Sequence, residues 1–357
     1  MIFATPPIDD VLRARLDELD RLRKVLGGSA EQMAPWMGTL RRAVRASSIE
    51  SSTSIEGFSV EPGEAIALTS GVAPDAGEDE SRLAVVCYAR AMDHVAAMAR
   101  DPAFHWNERV ILDLHFDTCH FQRDKSPGLW RTGPIAVTGA DGGVEYRGPD
   151  AEEVPALMAE IVAWLENAED VHPVVRAAMA HLNVTSVHPF RDGNGRVARI
   201  VQSLVLALDG LLSPEFSSIE EYLARNTPAY YAALRDTQGG SYQPDRDASR
   251  WVGFCVEAHI AQAKRRLEQI DEAAARWERL EREVESHGWP DRFTIALERS
   301  LVGGLDRAGY GAEAEVSTAT VTADLRRLLD SGLVEQRGRG PGTRYWASER
   351  LRELLAG

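Results

Sequence analysis

The segment from His188 to Arg199 constrains this chain more than any other stretch of its sequence. It reads His-Pro-Phe-Arg-Asp-Gly-Asn-Gly-Arg-Val-Ala-Arg, so a base, a carboxylate, two glycines, an amide and several guanidinium groups lie close together. Apolar residues recur at helical spacing before and after it, which predicts two core helices joined by a polar turn. These apolar positions are Val174, Val175, Ala178, Met179 and Leu182 on one side and Val197, Ile200, Val201, Leu204, Val205 and Leu208 on the other.

The glycines of this turn predict an anion site. Gly193 to Gly195 would open the second helix, where backbone N–H groups are free and the helix dipole is positive. Glycine also lets a phosphate approach the main chain closely. Arg196 and Arg199 are three residues apart and so lie on one helix face, where both guanidinium groups can reach further phosphates. The pattern therefore favours a triphosphate over a monophosphate.

Two further residues of the segment supply chemistry. Asp192 lies just before the anion turn, where a carboxylate oxygen could share Mg²⁺ with phosphate oxygens. His188 has a side chain whose ordinary pKa is near neutrality, which suits a general base that accepts a proton from an attacking hydroxyl. The sequence contains no G-x-x-x-x-G-K-[ST] motif, so no P-loop competes for the nucleotide.

The segment resembles the signature of the Fic family, His-x-Phe-x-[Asp/Glu]-Gly-Asn-Gly-Arg-x-x-Arg, at every fixed position. The resemblance implies a protein adenylyltransferase that moves AMP from ATP to a Ser, Thr or Tyr hydroxyl of a target protein, which can be the chain itself. It implies that His188 is the base and that Asp192 holds Mg²⁺ or Mn²⁺. It also implies nucleotide-phosphate contacts for Gly193, Asn194, Gly195, Arg196 and Arg199. The kinase-like Doc branch carries lysine in place of the second glycine, whereas this chain has Gly195.

A second stretch resembles the inhibitory motif [Ser/Thr]-x-x-x-Glu-[Gly/Asn] of Fic proteins whose inhibitory helix precedes the core. It comprises Ser52, Glu56 and Gly57. In such relatives the glutamate pairs with the second arginine of the signature, here Arg199, and takes the position of the γ-phosphate. Two alternatives stay open, since a Ser-rich helix ending in Glu and Gly is also common as a cap, and Glu50 is a competing glutamate.

Two more markers accompany the signature. Residues 126–138 resemble the family's Pro-Gly-x-Tyr/Trp-Arg stretch and flap, and residues 135–146 are expected to form a β-hairpin around a Gly-rich turn. The exposed edge of such a hairpin can bind an extended target segment by strand addition and present its hydroxyl to His188. Residues 226–234 resemble the helix that lines the nucleoside pocket, which assigns Asn226 and Tyr231 to ATP; Tyr230 and Tyr231 could equally be core aromatics.

Composition sets bounds on the class of protein. The chain has 357 residues, of which 44% are hydrophobic and 27% charged, so it can form two or three globular domains. Its formal charge of −15 argues against a protein drawn as a whole to nucleic acid or anionic membranes. Three cysteines without C-x-x-C spacing predict reduced thiols and a cytoplasmic location. The N-terminal residues do not resemble a signal peptide, and no apolar run is long enough to span a membrane, so no membrane association is expected.

The periodicities predict a mainly α protein with an all-helical Fic core, a small β-hairpin flap and a C-terminal winged helix-turn-helix domain. In the first region, one apolar helical stripe is expected from Val11, Leu16, Leu19, Leu22 and Val25. The expected domains are an N-terminal helical region with the inhibitory motif (1–100), the Fic catalytic core (101–245), connecting helices (246–288) and the winged helix (289–357).

The C-terminal stretch from Val316 to Trp346 resembles a winged helix. Ser317 is expected to cap a recognition-like helix that ends at Gly332, and residues 336–343 would form a wing containing Arg337 and Arg339. Residues 291–357 carry equal numbers of acidic and basic side chains, so the footprint for DNA phosphates is thin. DNA contact through residues 317–344 is open, but a protein-contact or regulatory module is favoured.

The sequence thus predicts an autoinhibited protein adenylyltransferase with ATP as substrate and Mg²⁺ or Mn²⁺ as cofactor. Two alternatives stay open. One is a DNA-binding regulator in which the Fic core senses nucleotide. The other is removal of AMP from a modified protein, with Glu56 positioning a water molecule. Assembly as a homodimer is also open.

Overall fold

The computed structural model describes residues 1–31, 34–71, 79–139, 142–338, 340 and 343–356. Over this part of the chain the protein is mainly helical, with two small antiparallel hairpins, which confirms the predicted fold class. The helices are α1 (Asp10–Ala30), α2 (Met37–Ser54), α3 (Pro62–Thr69), α4 (Glu80–Met98), α5 (Glu108–Cys119), α6 (Val154–Asn167), α7 (Pro173–Val187), α8 (Asn194–Leu208), α9 (Pro214–Ser217), α10 (Glu220–Arg225), α11 (Thr227–Gln238), α12 (Ser249–Ser286), α13 (Arg292–Leu301), α14 (Arg307–Glu313), α15 (Thr318–Asp330) and α16 (Glu349–Ala356). The strands are β1 (Ala136–Thr138), β2 (Val144–Arg147), β3 (Val334–Arg337) and β4 (Arg344–Ala347).

The chain divides into two compact units, and neither is continuous in sequence. The larger unit comprises Met1–Gly27, Ser48–Val60 and Ala73–Arg265, and the smaller unit comprises Gly28–Ser47, Glu61–Val72 and Arg266–Gly357. The whole signature and the segment containing Ser52 and Glu56 belong to the larger unit. The domain limits expected from sequence are continuous ranges, unlike these units, and they stay predictions.

The two helices that flank the signature form the centre of the larger unit. Helices α7 and α8 pack along each other, and α8 also packs against α4 and α5. The apolar residues predicted to face the core are buried on both helices, including Val174, Met179, Val197 and Leu204. Because α8 is buried on nearly all sides, its polar side chains must be paired inside the protein or reserved for a ligand.

The predicted stripe of α1 is partly wrong. Leu16 and Leu19 are buried, but the side chains of Val11 and Val25 are 74% and 57% exposed. The buried face continues instead through Arg23 and Leu26. Positions 16, 19, 23 and 26 follow the helical period, whereas 11 and 25 fall beside that face. Arg23 is tolerated there because its guanidinium group pairs with Asp209 at 2.6 Å.

The predicted flap is an antiparallel hairpin of β1 and β2. Ala136 pairs with Arg147 and Val137 with Tyr146, and the register shifts between Val137 and Thr138. Residues 140 and 141 of its turn lie outside the described part of the chain. The phenol of Tyr146 is buried and donates a hydrogen bond to the carbonyl of Ser186, which anchors the hairpin against α7.

The smaller unit has a core of its own, built from α13 to α16, the end of α12 and the β3–β4 hairpin. Ser317 caps α15 by accepting a hydrogen bond from the N–H of Thr320, as expected from sequence. Gly332 follows this helix with a φ of +72°. Strand β3 pairs with β4, but residues 339, 341 and 342 of the expected wing lie outside the described part. The winged-helix assignment therefore stays a prediction.

No helix among the described residues is both long and apolar enough to cross a membrane.

Candidate active site

His188 lies at the end of α7 in a left-handed conformation, with a φ of +51°. This conformation turns the chain out of the helix and into the signature loop. Its Nδ1 lies 3.1 Å from the carbonyl oxygen of Thr185, and since a carbonyl can only accept, Nδ1 carries the proton. Nε2 is therefore the ring nitrogen that can accept a proton. Burial lowers the pKa of His188, so the imidazole is neutral at physiological pH and available as a base.

Arg131, from the predicted Pro-Gly-Leu-Trp-Arg stretch, holds the start of the signature loop from behind. Its Nε donates to the carbonyl of His188 at 2.8 Å, and its backbone N–H donates to the carbonyl of Pro189 at 2.9 Å. Its remaining nitrogens donate to the carbonyls of Gly133 and Pro149. A buried arginine with this set of partners positions backbone and does not face a ligand.

The side chain of Asn194 closes the same loop. Its Oδ1 accepts from the N–H of Phe190 and its Nδ2 donates to the carbonyl of Phe190, both at 2.9 Å. The side-chain amide of Asn194 is already paired at both ends. If Asn194 contacts phosphate, as the sequence predicts, its backbone N–H is the group that would do so.

The turn before α8 leaves the N-terminal end of this helix uncapped. Gly193 precedes α8 with a φ of +75°, and no side chain caps this helix end. A Cβ at Gly193 would overlap the sulfur of Cys119, so glycine is required both by conformation and by space. The carboxylate of Asp192 accepts from the N–H of Gly193 at 2.6 Å, while its side chain is 36% exposed at the turn. The uncapped N–H groups of the first turn of α8 form a site for an anion.

Arg199 is buried and held by the segment that precedes the core. Its Nε donates to Oγ of Ser52 at 2.7 Å, and its Nη2 donates both to the Ser52 carbonyl and to Oε1 of Glu56 at 2.9 Å. Its Nη1 is buried and has no hydrogen-bond partner. Burial lowers the pKa of this guanidinium group, and the negative charge of Glu56 raises it. The net result is a pKa above the ordinary value, so Arg199 stays charged.

Glu56 lies in the turn that directly follows α2, and Gly57 comes after it with a φ of +88°. Its side chain is 24% exposed and lies against Gly195, where a Cβ would overlap its Oε1. Glu50, the competing glutamate, is not a partner of Arg199. The structure thus brings Ser52 and Glu56 into contact with Arg199, and their inhibitory role stays a prediction.

Arg196 lies between two aromatic rings. Its guanidinium carbon is 5.0 Å from the ring centroid of Phe58 and 5.9 Å from that of Phe121. Nη2 donates to Gln122 at 3.3 Å and lies 3.6 Å from Asp192. Its Nε and Nη1 are buried without a hydrogen-bond partner. Buried unpaired donors are costly, so the unpaired nitrogens of Arg196 and Arg199 point to an anionic ligand.

A cavity of about 340 Å³ lies over the turn. The signature loop, the β1–β2 hairpin and α11 form most of its walls, and Glu56 and Thr185 complete them. Sequence-predicted residues that line it are Glu56, His188, Asp192, Gly193, Asn194, Gly195 and Tyr231. Arg196 and Arg199 are on the same helix as Gly195 but are not among the lining residues. Asn226, between α10 and α11, is not among the lining residues, and its side-chain amide donates to the carbonyl of Tyr222 in α10 at 2.8 Å.

The two tyrosines of α11 differ in their surroundings. Tyr231 is 40% exposed, whereas Tyr230 is 1% exposed and its hydroxyl lies 3.0 Å from Nε2 of His181. Opposite them, Glu145 of the hairpin pairs with Arg235 of α11 at 3.3 Å. Strand β1 pairs with β2 alone among the described strands, so its outer edge is free. The cavity is therefore bounded by an edge to which an extended peptide could add.

Sequence reasoning missed several residues of the site. Phe58 directly follows Glu56-Gly57, and its aromatic character next to the motif was the signal available. Phe121, Glu145 and Arg235 gave no such signal, because only the fold brings them to the signature. The same holds for His115, whose Nε2 lies 3.1 Å from the Asp192 carbonyl.

Comparison with known proteins finds one matching family profile and several similar sequences. The sequence profile described as "Fic/DOC family" matches residues 105–206. The chain is 35% identical over 99 residues to a probable protein adenylyltransferase of Aquifex aeolicus, covering 28% of this chain and 28% of the relative. It is 36% identical over 111 residues to the protein adenylyltransferase fic-1 of Caenorhabditis elegans, covering 30% of this chain and 20% of the relative. The chain thus spans well under half of these relatives.

Solved structures share the fold. A Fic family protein from Desulfovibrio desulfuricans G20 superposes with a TM-score of 0.62 at 22% identity, covering 97% of this chain and 99% of that one. Fic-1 from C. elegans superposes with a TM-score of 0.58 at 21% identity, covering 73% of this chain and 74% of that one.

Proposed function

Because residues 105–206 form a Fic domain of the Fic/DOC family, we propose that this chain is an autoinhibited protein adenylyltransferase that transfers AMP from ATP to a protein hydroxyl. One observation carries the proposal. One cavity is lined both by His188, whose Nδ1 is held by Thr185, and by the uncapped first turn of α8, the helix that also carries the buried and partly unpaired guanidinium groups of Arg196 and Arg199.

The proposed reaction is attack by a target Ser, Thr or Tyr hydroxyl on the α-phosphorus of ATP. A bond forms between the hydroxyl oxygen and the α-phosphorus, and the bond to the bridging oxygen of pyrophosphate breaks. Nε2 of His188 accepts the hydroxyl proton, since Nδ1 is held by Thr185. The turn amides and the unpaired nitrogens of Arg196 and Arg199 bind the phosphates.

Asp192 is the residue that would hold Mg²⁺ or Mn²⁺. Its carboxylate is partly exposed at the cavity and is the only carboxylate of the signature loop. No group of three or more metal-ligating side chains occurs among the described residues, which suits a cation bound through one carboxylate together with phosphate oxygens and water. When bound, such a cation would neutralise charge on the phosphates.

For the nucleoside and the target, the cavity offers two different walls. Tyr231 on α11 supplies an exposed ring against which the nucleoside can pack. Asn226 would take part only after a rearrangement, because its amide is turned towards Tyr222. The free edge of β1 would pair with an extended target segment, which needs backbone more than particular side chains.

Inhibition is proposed to follow from competition between two anions for one guanidinium group. Glu56 occupies Nη2 of Arg199 and lies over Gly195, where a terminal phosphate would approach. ATP would then have to displace Glu56 or bind with its α-phosphorus poorly oriented to the hydroxyl.

The proposal is tested with the purified chain and its Glu56→Gly variant, each incubated with ATP labelled at the α-phosphate and with cell lysate. We expect label on protein to increase in the variant and to disappear with His188→Ala. Label that appears with γ-labelled ATP and not with α-labelled ATP would indicate phosphate transfer instead. Release of AMP from a pre-modified protein by the parent chain would favour the reverse reaction.

A further inference from the structure

His115 is a buried histidine whose two ring nitrogens hold two different segments of backbone. It lies on α5 and is 0% exposed. Nδ1 accepts from the N–H of Gly128 at 2.9 Å, and Nε2 lies 3.1 Å from the carbonyl oxygen of Asp192. An N–H can only donate and a carbonyl can only accept, so the partners fix the tautomer. The proton is on Nε2 and is donated to Asp192.

The ring of His115 is also fixed by packing. It stacks on the ring of Phe190 with centroids 3.7 Å apart and an angle of 11° between the planes. Its Cδ2 would lie 3.6 Å from a Cβ at Gly193, which places the edge of the ring against the turn. His115 thus contacts the signature loop at Phe190 and Asp192, and its ring edge faces the open side of Gly193.

The peptide between Asp192 and Gly193 is held at both ends. Its carbonyl accepts from His115, and its N–H, which points the opposite way in a planar trans peptide, donates to the carboxylate of Asp192 at 2.6 Å. A rotation of this peptide would break both hydrogen bonds. It would also turn a carbonyl oxygen towards the phosphate site, where negative charge is unfavourable.

We propose that His115 is a positioning residue that fixes the Asp192–Gly193 peptide and thereby aims the Asp192 carboxylate at the bound cation and phosphates. This inference rests on the proposed function, since the cation and ATP belong to it. Burial lowers the pKa of His115 to about 4, which keeps the ring neutral and the hydrogen-bond pattern intact across physiological pH.

The test compares three variants in the Glu56→Gly background by calorimetric titration of ATP with and without Mn²⁺. His115→Phe keeps the stack but loses both hydrogen bonds, so we expect the metal-dependent part of ATP affinity to fall about tenfold, the scale typical of residues that orient metal ligands. His115→Gln can place an N–H near the Nε2 position and should restore most of that loss. His115→Asn reaches only the Nδ1 position and should not.

The matched control is His259→Phe. His259 is buried in the same unit, burial likewise lowers its pKa to about 3, and its Nε2 has no hydrogen-bond partner. It should leave metal-dependent affinity unchanged. A folded His115→Phe protein with unchanged metal-dependent affinity would overturn the proposal. So would equal effects of the Gln and Asn variants, a comparison that stands even where His115→Phe does not fold.

Failure of the proposed function gives a different result. If Glu56→Gly transfers no AMP yet the metal-dependent affinity follows His115 as expected, the positioning role holds and the transfer reaction is wrong. A ring ¹H–¹⁵N correlation spectrum provides a readout without any nucleotide. It should show His115 protonated on Nε2 and unchanged between neutral pH and pH 5.5, and a proton on Nδ1 would contradict the geometry.

Discussion

The carboxylate of Glu56 lies 2.9 Å from Nη2 of Arg199 and also rests against the backbone of Gly195. One side chain therefore occupies two parts of the proposed phosphate site, a guanidinium donor and the space above the anion turn. Ser52 holds the same arginine through its hydroxyl and its carbonyl. Arg199 is thus held by two kinds of contact. The proposed nucleotide would compete with the contact to Glu56, whereas the contacts to Ser52 could stay in place.

The first prediction concerns removal of this carboxylate. Glu56→Gly should tighten ATP and raise AMP transfer about tenfold to a hundredfold, because a charge-assisted hydrogen bond of about 1.5–3 kcal/mol no longer competes. The free energy of unfolding should fall by at most about 1.5–3 kcal/mol, since the same hydrogen bond is lost from the folded state while Arg199 keeps its contacts to Ser52. Isothermal titration, a labelled-ATP assay and thermal unfolding measure the three quantities.

Glu50→Gly is the control, because Glu50 lies on α2, which directly precedes Glu56, and does not pair with Arg199. Arg199→Ala should not reproduce the gain, since it removes the phosphate ligand together with the inhibitory contact. Activation by Glu50→Gly in place of Glu56→Gly would show that the inhibitory glutamate is misassigned.

The second prediction concerns Gly195. A Cβ there would overlap Oε1 of Glu56 and lie 3.2 Å from Nη1 of Arg199. Gly195→Ala should displace the flexible Glu56 side chain at little cost to the fold, yet it should not activate transfer, because the methyl group takes the space of the phosphate. In the Glu56→Gly background the same change should weaken ATP binding. Gly253→Ala, at a helical glycine with open space around it, is the control.

The third prediction concerns Phe58, which packs on Arg196. In the Glu56→Gly background, Phe58→Ala should weaken ATP binding about 2- to 30-fold, the range expected for losing a cation–π contact of about 0.5–2 kcal/mol. Phe104→Ala removes an aromatic ring that contacts Trp106 and is a suitable control. Unchanged ATP affinity with Phe58→Ala would mean that Phe121 and Gln122 suffice to position Arg196.

The fourth prediction concerns pH. Burial lowers the pKa of His188 below its ordinary value of 6.5, and the base must be deprotonated to act. The turnover of Glu56→Gly should therefore be flat near neutral pH and fall only as the pH drops below 6.5. His188→Ala should lower turnover about a hundredfold or more while ATP still binds. A loss of turnover centred above pH 7 would rule out a histidine with a lowered pKa as the base.

The sequence by itself determined the parts of the site that are close together along the chain. The base, carboxylate, glycines and arginines of residues 188–199 follow one another at spacings that a turn and the next helix convert directly into geometry. The apolar periodicity on either side was enough to predict α7 and α8, and the Gly-rich stretch was enough to predict the hairpin.

Only the tertiary structure decided which distant groups meet these residues. Ser52 is 147 positions from Arg199, and His115 is 77 positions from Asp192, so no local spacing relates them. Their hydrogen bonds exist because the fold brings α5 to the signature loop and the end of α2 to α8. Side-chain availability was decided in the same way. Asn194 and Asn226 have amides that could bind a nucleotide, but nearby carbonyls take them, because a polar group within a packed fold bonds to the nearest partner that burial leaves it.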